Sequence, residues 1–146
     1  DYSKMVKGRH PIAAYEFLGP KLEGKDVILI DDMISSGSSI LEIASLLKKR
    51  GAGKIFICTT FGLFTEGMEK FDAAYAKGTF DKLLTTNLVY QTPELLSKPY
   101  YITCDMSKYI ALIIDTLNHD MSVSHLLNPA DRIKKCVNNY MAQYDK

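Results

Sequence analysis

Val27-Ile28-Leu29-Ile30-Asp31-Asp32-Met33-Ile34-Ser35-Ser36-Gly37-Ser38-Ser39 joins an apolar segment to two acids and a run of small residues. Four consecutive apolar residues, Val27 to Ile30, read as a strand buried on both faces, the pattern of the middle of a parallel sheet. α/β proteins place ligands at the carboxyl ends of such strands, where Asp31 and Asp32 stand. Neighbouring strand residues point to opposite sides, so at most one acid faces a ligand directly and the other is left to orient a loop or a metal-bound water. Beyond the small residues, Ile40, Ile43, Ala44 and Leu47 recur at helical spacing. The loop therefore opens a helix, whose unpaired N–H groups and positive dipole end attract a phosphate. Gly37 permits a close backbone approach, and the serine hydroxyls add donors. Serine-rich turns also open helices simply as N-caps, and paired acids also mark turns; it is their combination that points to an anion. The loop lacks the Gly-Lys of a P-loop and the three spaced glycines of a dinucleotide fingerprint.

The rest of the chain alternates strands and helices. A first strand is expected around Ala13 to Leu18, the central one at Val27 to Asp31, and further strands at Ile55 to Thr59, Lys82 to Thr86 and Tyr100 to Cys104. Gly51 suits a left-handed helix C-cap. Phe64, Met68, Phe71 and Tyr75 repeat at helical spacing as a core-facing stripe, with Gly78 as the stop. Thr92-Pro93 starts a short helix, with proline where its missing N–H is harmless. Ile110, Ile113, Ile114 and Leu117 mark another helix, and Asn128-Pro129 opens a last one with Ile133, Val137, Tyr140 and Tyr144 on one face. Such alternation predicts an α/β fold of three layers, a mostly parallel central sheet flanked by helices. Asp31, Asp32, Thr60, Phe61, Thr86 and Asn87 fall at or just past strand ends, so three loops are expected to converge on one pocket.

Composition sets the outer bounds. A chain of 146 residues with 47% hydrophobic content is expected to form one compact domain, residues 1–146. A net charge of +1 gives no reason to expect nucleic acid or an anionic membrane as a partner. No apolar run reaches the roughly 18 residues of a membrane span, and no secretory signal is present, so the expected location is the cytoplasm. Cys58, Cys104 and Cys136 are widely spaced and read as buried free thiols. His10, His119 and His125 show no metal-ligand spacing and are expected at the surface or in turns.

The apolar strand, Asp31-Asp32-Met33 and Ser35-Ser36-Gly37-Ser38-Ser39 together resemble the phosphoribosyl-binding motif of type I phosphoribosyltransferases, and more closely that of ribose-phosphate diphosphokinases (phosphoribosyl diphosphate synthetases). Three further segments are similar to that second group: Lys54 to Phe64, Leu83-Leu84-Thr85-Thr86-Asn87, and Asn118-His119-Asp120-Met121-Ser122-Val123-Ser124-His125-Leu126-Leu127. The resemblance spans about Asp26 to Leu127. It implies a type I phosphoribosyltransferase-like fold and a parent enzyme that transfers diphosphate from ATP to ribose 5-phosphate to make phosphoribosyl diphosphate. Ser35, Ser36, Gly37, Ser38 and Ser39 would hold the 5-phosphate, and Asp31 and Asp32 would address the ribose hydroxyls, directly or through Mg2+. Ser122 and Ser124 match positions that in some relatives help to bind a regulatory phosphate.

Two departures qualify the transfer. Many relatives carry Asp-Thr-Gly-Gly-Thr in the loop, whereas this chain has Ser35 for the acid and Ser38 for the second small residue. A general-base or ribose-orienting role is therefore not carried to position 35. The chain begins at Asp1 without methionine and reads as the C-terminal half of a longer protein. In the resembled family most of the ATP site, and a mobile loop with catalytic Lys and Arg, lie before the region that begins here; no catalytic residue is therefore assigned, and Lys4, Lys7 and Arg9 read as solvated charges. The resemblance also implies a homo-oligomer. A nucleobase phosphoribosyltransferase and a non-catalytic regulatory homologue are the alternative readings; Ser35 is the sequence support for the latter.

Overall fold

The computed structural model describes residue 19 and residues 21–144. The first strand expected around residues 13–18 lies outside them. The chain divides into two compact units, Asp1–Cys104 and Asp105–Lys146, where the length had suggested one.

Among the described residues the first unit holds a four-stranded, wholly parallel sheet: β1 (Val27–Ile34), β2 (Ile55–Gly62), β3 (Lys82–Thr86) and β4 (Tyr101–Cys104), in the spatial order β1-β2-β3-β4. The crossovers carry α1 (Ser38–Lys49), α2 (Glu69–Ala76) and α3 (Pro93–Leu96). Each crossover advances to the adjacent strand in the same direction, and parallel crossovers are right-handed, so all three helices land on one face. The core shows this directly. Ile40, Ala44 and Leu47 of α1, Phe71 of α2 and Leu95 of α3 are buried with Ile55, Ile57 and Leu83 of the sheet.

The opposite face has a different fate. Ile30 is 83% exposed and Ile28 64%, although both belong to the apolar run that reads as buried on both faces. Among the described residues β1 is an edge strand, not a central one. Its alternation also changes phase at the carboxyl end. Leu29 packs against the core on the helix face, yet Ile34 rather than Met33 is the buried residue there.

Local signals account for the element ends. Gly51 is left-handed, and the Ala52 and Gly51 N–H groups donate to the Leu47 and Lys48 carbonyls, which closes α1 by a Schellman motif. Thr92 Oγ1 accepts from Leu95 N–H at 3.1 Å ahead of Pro93, a side-chain N-cap of the expected kind. The Phe64 to Tyr75 stripe is helical only from Glu69 onward. Phe64 has φ of 47°, which breaks the helix but turns its ring edge-on to Phe71.

Asp72, Lys98 and Tyr100 form a polar cluster beside the aromatic core. Asp72 accepts from Lys98 Nζ and from Tyr100 Oη, both at 2.7 Å. The lysine bond, then the phenol bond, hold the Asp72 carboxyl below the usual carboxylate range. Burial, reinforced by the hydrogen bond to Asp72, pushes the Tyr100 phenol well above its ordinary value. The signs are opposite for stability. Asp72 contributes above the unfolded carboxylate value of about 4 and loses that contribution as the pH falls. Tyr100 contributes fully below about pH 10, and the contribution drains away as the pH rises from there toward the higher value of the folded phenol. Urea midpoints measured against pH should therefore fall more steeply above pH ~10 in the wild type than in Tyr100→Phe. Parallel curves would remove Tyr100 from the alkaline transition.

The second unit comprises α4 (Ser107–Asn118), α5 (Ser124–Leu127) and α6 (Ala130–Tyr144). Leu126 is its anchor. Its carbonyl accepts from Tyr109 Oη at 3.0 Å and from Arg132 Nη2, and the Arg132 guanidinium stacks 5.2 Å from the centre of the Tyr109 ring. Ile133, Val137, Tyr140 and Met141 are exposed along α6. All three cysteines are free; Cys58 and Cys104 are half-buried, whereas Cys136 is exposed, contrary to the expectation of a buried thiol. No helix among the described residues is long and apolar enough to cross a membrane.

Candidate functional site

The β1–α1 connection makes the site. Gly37 is the N-cap of α1 with φ of 77°, a left-handed conformation that side-chain-bearing residues adopt at a cost. A Cβ at this position would also collide with the ring of Phe71. Glycine is thus required twice, by backbone and by space. The turn folds the small residues around a hollow of about 190 Å³, lined by Asp31 and residues 33–40. The first intrahelical bond of α1 runs from Leu41 N–H to Gly37 O. The amides of Ser39 and Ile40 precede it, in the part of the helix that has no intrahelical acceptor. Ser38 N–H donates to Ser36 Oγ at 3.4 Å and Ser36 Oγ donates to Ser38 Oγ at 3.3 Å, so the two hydroxyls are gathered on one side of the loop.

A second segment braces the loop. Leu63 N–H donates to Ile34 O at 2.8 Å, Thr65 N–H donates to Ser35 O at 3.0 Å, and the Ser35 and Thr65 hydroxyls lie 3.1 Å apart. From α2, Lys70 Nζ donates to Ser38 Oγ at 3.1 Å and pairs with Glu66. Thr65, Lys70 and Phe71 therefore belong to the surroundings of the site, and the sequence pattern singled out none of them for it. Phe71 was legible only as core, and nothing in the spacing of Thr65 or Lys70 relates them to a loop some thirty residues earlier.

The expected residues divide. Ser35, Ser36, Gly37, Ser38, Ser39 and Asp31 meet in the hollow; Asp32 does not line it, and its N–H instead donates to Asp31 Oδ1 at 2.9 Å. The convergence of three loops does not occur as expected. Thr60 meets Asp31 in a second hollow of about 200 Å³ on the other face of the sheet, with Cys58, Leu84 and Cys104. Phe61, Thr86 and Asn87 line neither. Thr86 Oγ1 instead donates to Thr60 O at 2.6 Å and ties the ends of β2 and β3. Burial, then the neighbouring Cys104, push the Cys58 thiol up, which leaves it protonated and a poor nucleophile. Ser122 and Ser124 lie in the second unit. Ser122 Oγ donates to Ser124 Oγ at 2.9 Å and accepts from Ser124 N–H at 3.3 Å, the geometry of a serine turn ahead of the buried Leu126.

A family model described as the phosphoribosyl synthetase-associated domain matches residues 4–128. The chain belongs to the phosphoribosyl synthetase family. Within that family it is 34% identical, over 61% of its length, to a ribose-phosphate pyrophosphokinase of Prochlorococcus marinus. It is 28% identical, over 85% of its length, to phosphoribosyl pyrophosphate synthase-associated protein 2 of Xenopus tropicalis. The crystal structure of phosphoribosylpyrophosphate synthetase from Mycobacterium smegmatis shares the fold over 70% of this chain, with a TM-score of 0.61 and 24% identity. The synthetase-family chain spans only 28%, 40% and 33% of these three proteins, respectively.

The family's implied metal can be set against the acids. Among the described residues no group of three or more His, Cys, Asp or Glu side chains could hold a metal ion. Mg2+ does not need one, since it keeps several waters and binds through one or two carboxylates together with substrate phosphates. Asp31, at the edge of both hollows, fits that role.

Proposed function

We propose that this chain is the sugar-phosphate-binding part, corresponding to the C-terminal half, of an enzyme that transfers diphosphate from ATP to the 1-hydroxyl of ribose 5-phosphate, giving phosphoribosyl diphosphate and AMP. The observation that carries the reading is the left-handed Gly37 turn, which opens a hollow of loop amides and serine hydroxyls at the carboxyl end of β1, with Asp31 on its wall.

In this reading the 5-phosphate sits against the first turn of α1 and accepts from its amides and from Ser36, Ser38 and Ser39. Asp31 addresses the ribose hydroxyls and would hold Mg2+, which when bound offsets charge on the transferring phosphates. Asp32 acts at one remove, through its backbone contact with Asp31. Ser35 is turned to Thr65 and serves the shape of the loop. By fixing the sugar at one end, these residues convert a bimolecular encounter into an aligned one. The groups that activate ATP are supplied by other parts of the protein, which works as a homo-oligomer in the cytoplasm.

The test is a titration of ribose 5-phosphate into the chain, followed by amide NMR. Shifts centred on residues 36–40 are the expected result, with no AMP formed when ATP is added. Shifts confined to other segments would overturn the assignment, and diphosphate transfer by residues 1–146 alone would overturn the division of labour.

A second reading draws on the similarity to a synthase-associated protein, which extends over more of the chain than the similarity to the pyrophosphokinase does. In this case the hollow binds sugar phosphate without a reaction following. Full-length protein that binds ribose 5-phosphate but forms no AMP from ATP would select it.

A further inference from the structure

We infer that Lys70 is the counter-charge of the phosphate hollow, handed to the ligand from its ion pair with Glu66. The inference rests on the sugar-phosphate reading above and adds to that site a residue from a separate element. Lys70 stands in the first turn of α2, and its Nζ lies 3.1 Å from the hydroxyl of Ser38, which lines the hollow. The same ammonium is 2.5 Å from Glu66 Oε2. Both side chains are more than two-fifths exposed, and an ion pair so open to solvent is weakly held.

Charge balance gives the arrangement its purpose. The hollow presents the Asp31 carboxylate, with Asp32 next to it in sequence, against a helix terminus worth only about half a positive charge. A phosphate monoester carries about −1.5 to −2 at neutral pH. Loop and acids alone leave the charge balance of the site unfavourable to it. An ammonium within hydrogen-bond reach of the loop reverses the balance, because charge-assisted bonds are about twice as strong as neutral ones. When the phosphate enters, Nζ exchanges the Glu66 oxygen for a phosphate oxygen. Glu66 is then a positioning residue with two effects. It keeps the ammonium beside Ser38 in the empty site, and it competes with the ligand for it. The hollow is thereby suited to the doubly charged terminal phosphate of a sugar rather than to a neutral hydroxyl or a carboxylate.

Calorimetric titration of ribose 5-phosphate into the wild type, Lys70→Met, Lys70→Arg and Glu66→Gln, at low and raised salt, tests this. Lys70→Met should bind roughly 10- to 100-fold more weakly, with a flatter salt dependence, since its exposed charge is the part that salt screens. Lys70→Arg should stay within a few-fold of the wild type, and Glu66→Gln should bind more tightly. Melting temperatures near the wild-type value in all three variants separate these effects from misfolding. Wild-type affinity in Lys70→Met overturns the inference and leaves the sugar-phosphate reading standing. Equal weakness of Lys70→Arg and Lys70→Met also overturns it, because charge would not be the quantity that matters. If the wild type binds neither ribose 5-phosphate nor inorganic phosphate, the sugar-phosphate reading itself fails and takes the role of Lys70 with it.

Discussion

Gly37→Ala should destabilise the chain by about 2–5 kcal/mol and abolish measurable ribose 5-phosphate binding. Two separate costs combine. A non-glycine residue in the left-handed conformation loses roughly 1–2 kcal/mol, and Gly37 is held at φ of 77°. The added Cβ is also driven into the Phe71 ring, and overpacking of this kind costs about 1–3 kcal/mol. Either the ring moves, which disturbs the core, or the turn moves, which takes the Ser38, Ser39 and Ile40 amides away from the hollow. Urea unfolding measures the first and titration the second. The double variant Gly37→Ala/Phe71→Leu separates the two costs, since the smaller side chain makes room but leaves the backbone strain. It should recover part of the stability and little of the binding. Wild-type affinity in Gly37→Ala would mean that the left-handed turn is not what shapes the site.

Phe71→Ala should cost about 3–5 kcal/mol, the range for an aromatic removed from a closed core. Phe71 is fully buried at the centre of an edge-to-face series. Its ring lies 5.3 Å from that of Phe64 and 6.3 Å from that of Phe80, and Phe80 in turn lies 5.3 Å from Tyr100. The same ring backs Gly37, so its loss should also loosen the β1–α1 loop. At a temperature where the variant remains folded, its affinity for ribose 5-phosphate should drop as well. Phe71→Leu should be milder on both counts. A stability loss below about 1 kcal/mol in Phe71→Ala would show that the neighbouring aromatics close over the space, and that the loop stands without this support.

Fold class and motif were legible in the sequence because they rest on local interactions. The strand Lys82–Thr86 and the Thr92-Pro93 helix start follow from alternation and capping within a few residues. The Gly51 cap is local in the same way. So is the small-residue loop before α1, which needs only the glycine and the helix that follows it. These signals sufficed for an α/β chain with a parallel sheet and a glycine-containing small-residue turn between β1 and α1.

Where β1 sits, and what stands behind its loop, was decided only by tertiary structure. An apolar run reports that a strand can be buried on two faces, not that neighbours will cover both. Strand order and crossover hand determine that, and here they place α1, α2 and α3 on one face and leave Ile28 and Ile30 exposed on the other. For the same reason the hollow is formed by one segment, not by three converging loops. Thr65, Lys70 and Phe71 approach that segment from about thirty residues away, brought there by the pairing of β1 with β2 and the packing of α2 on the sheet. The sequence determined by itself that a glycine turn opens a helix at a strand end. Long-range pairing and packing, which leave no periodic trace in the chain, determined which ring holds that turn in place and which cation reaches it.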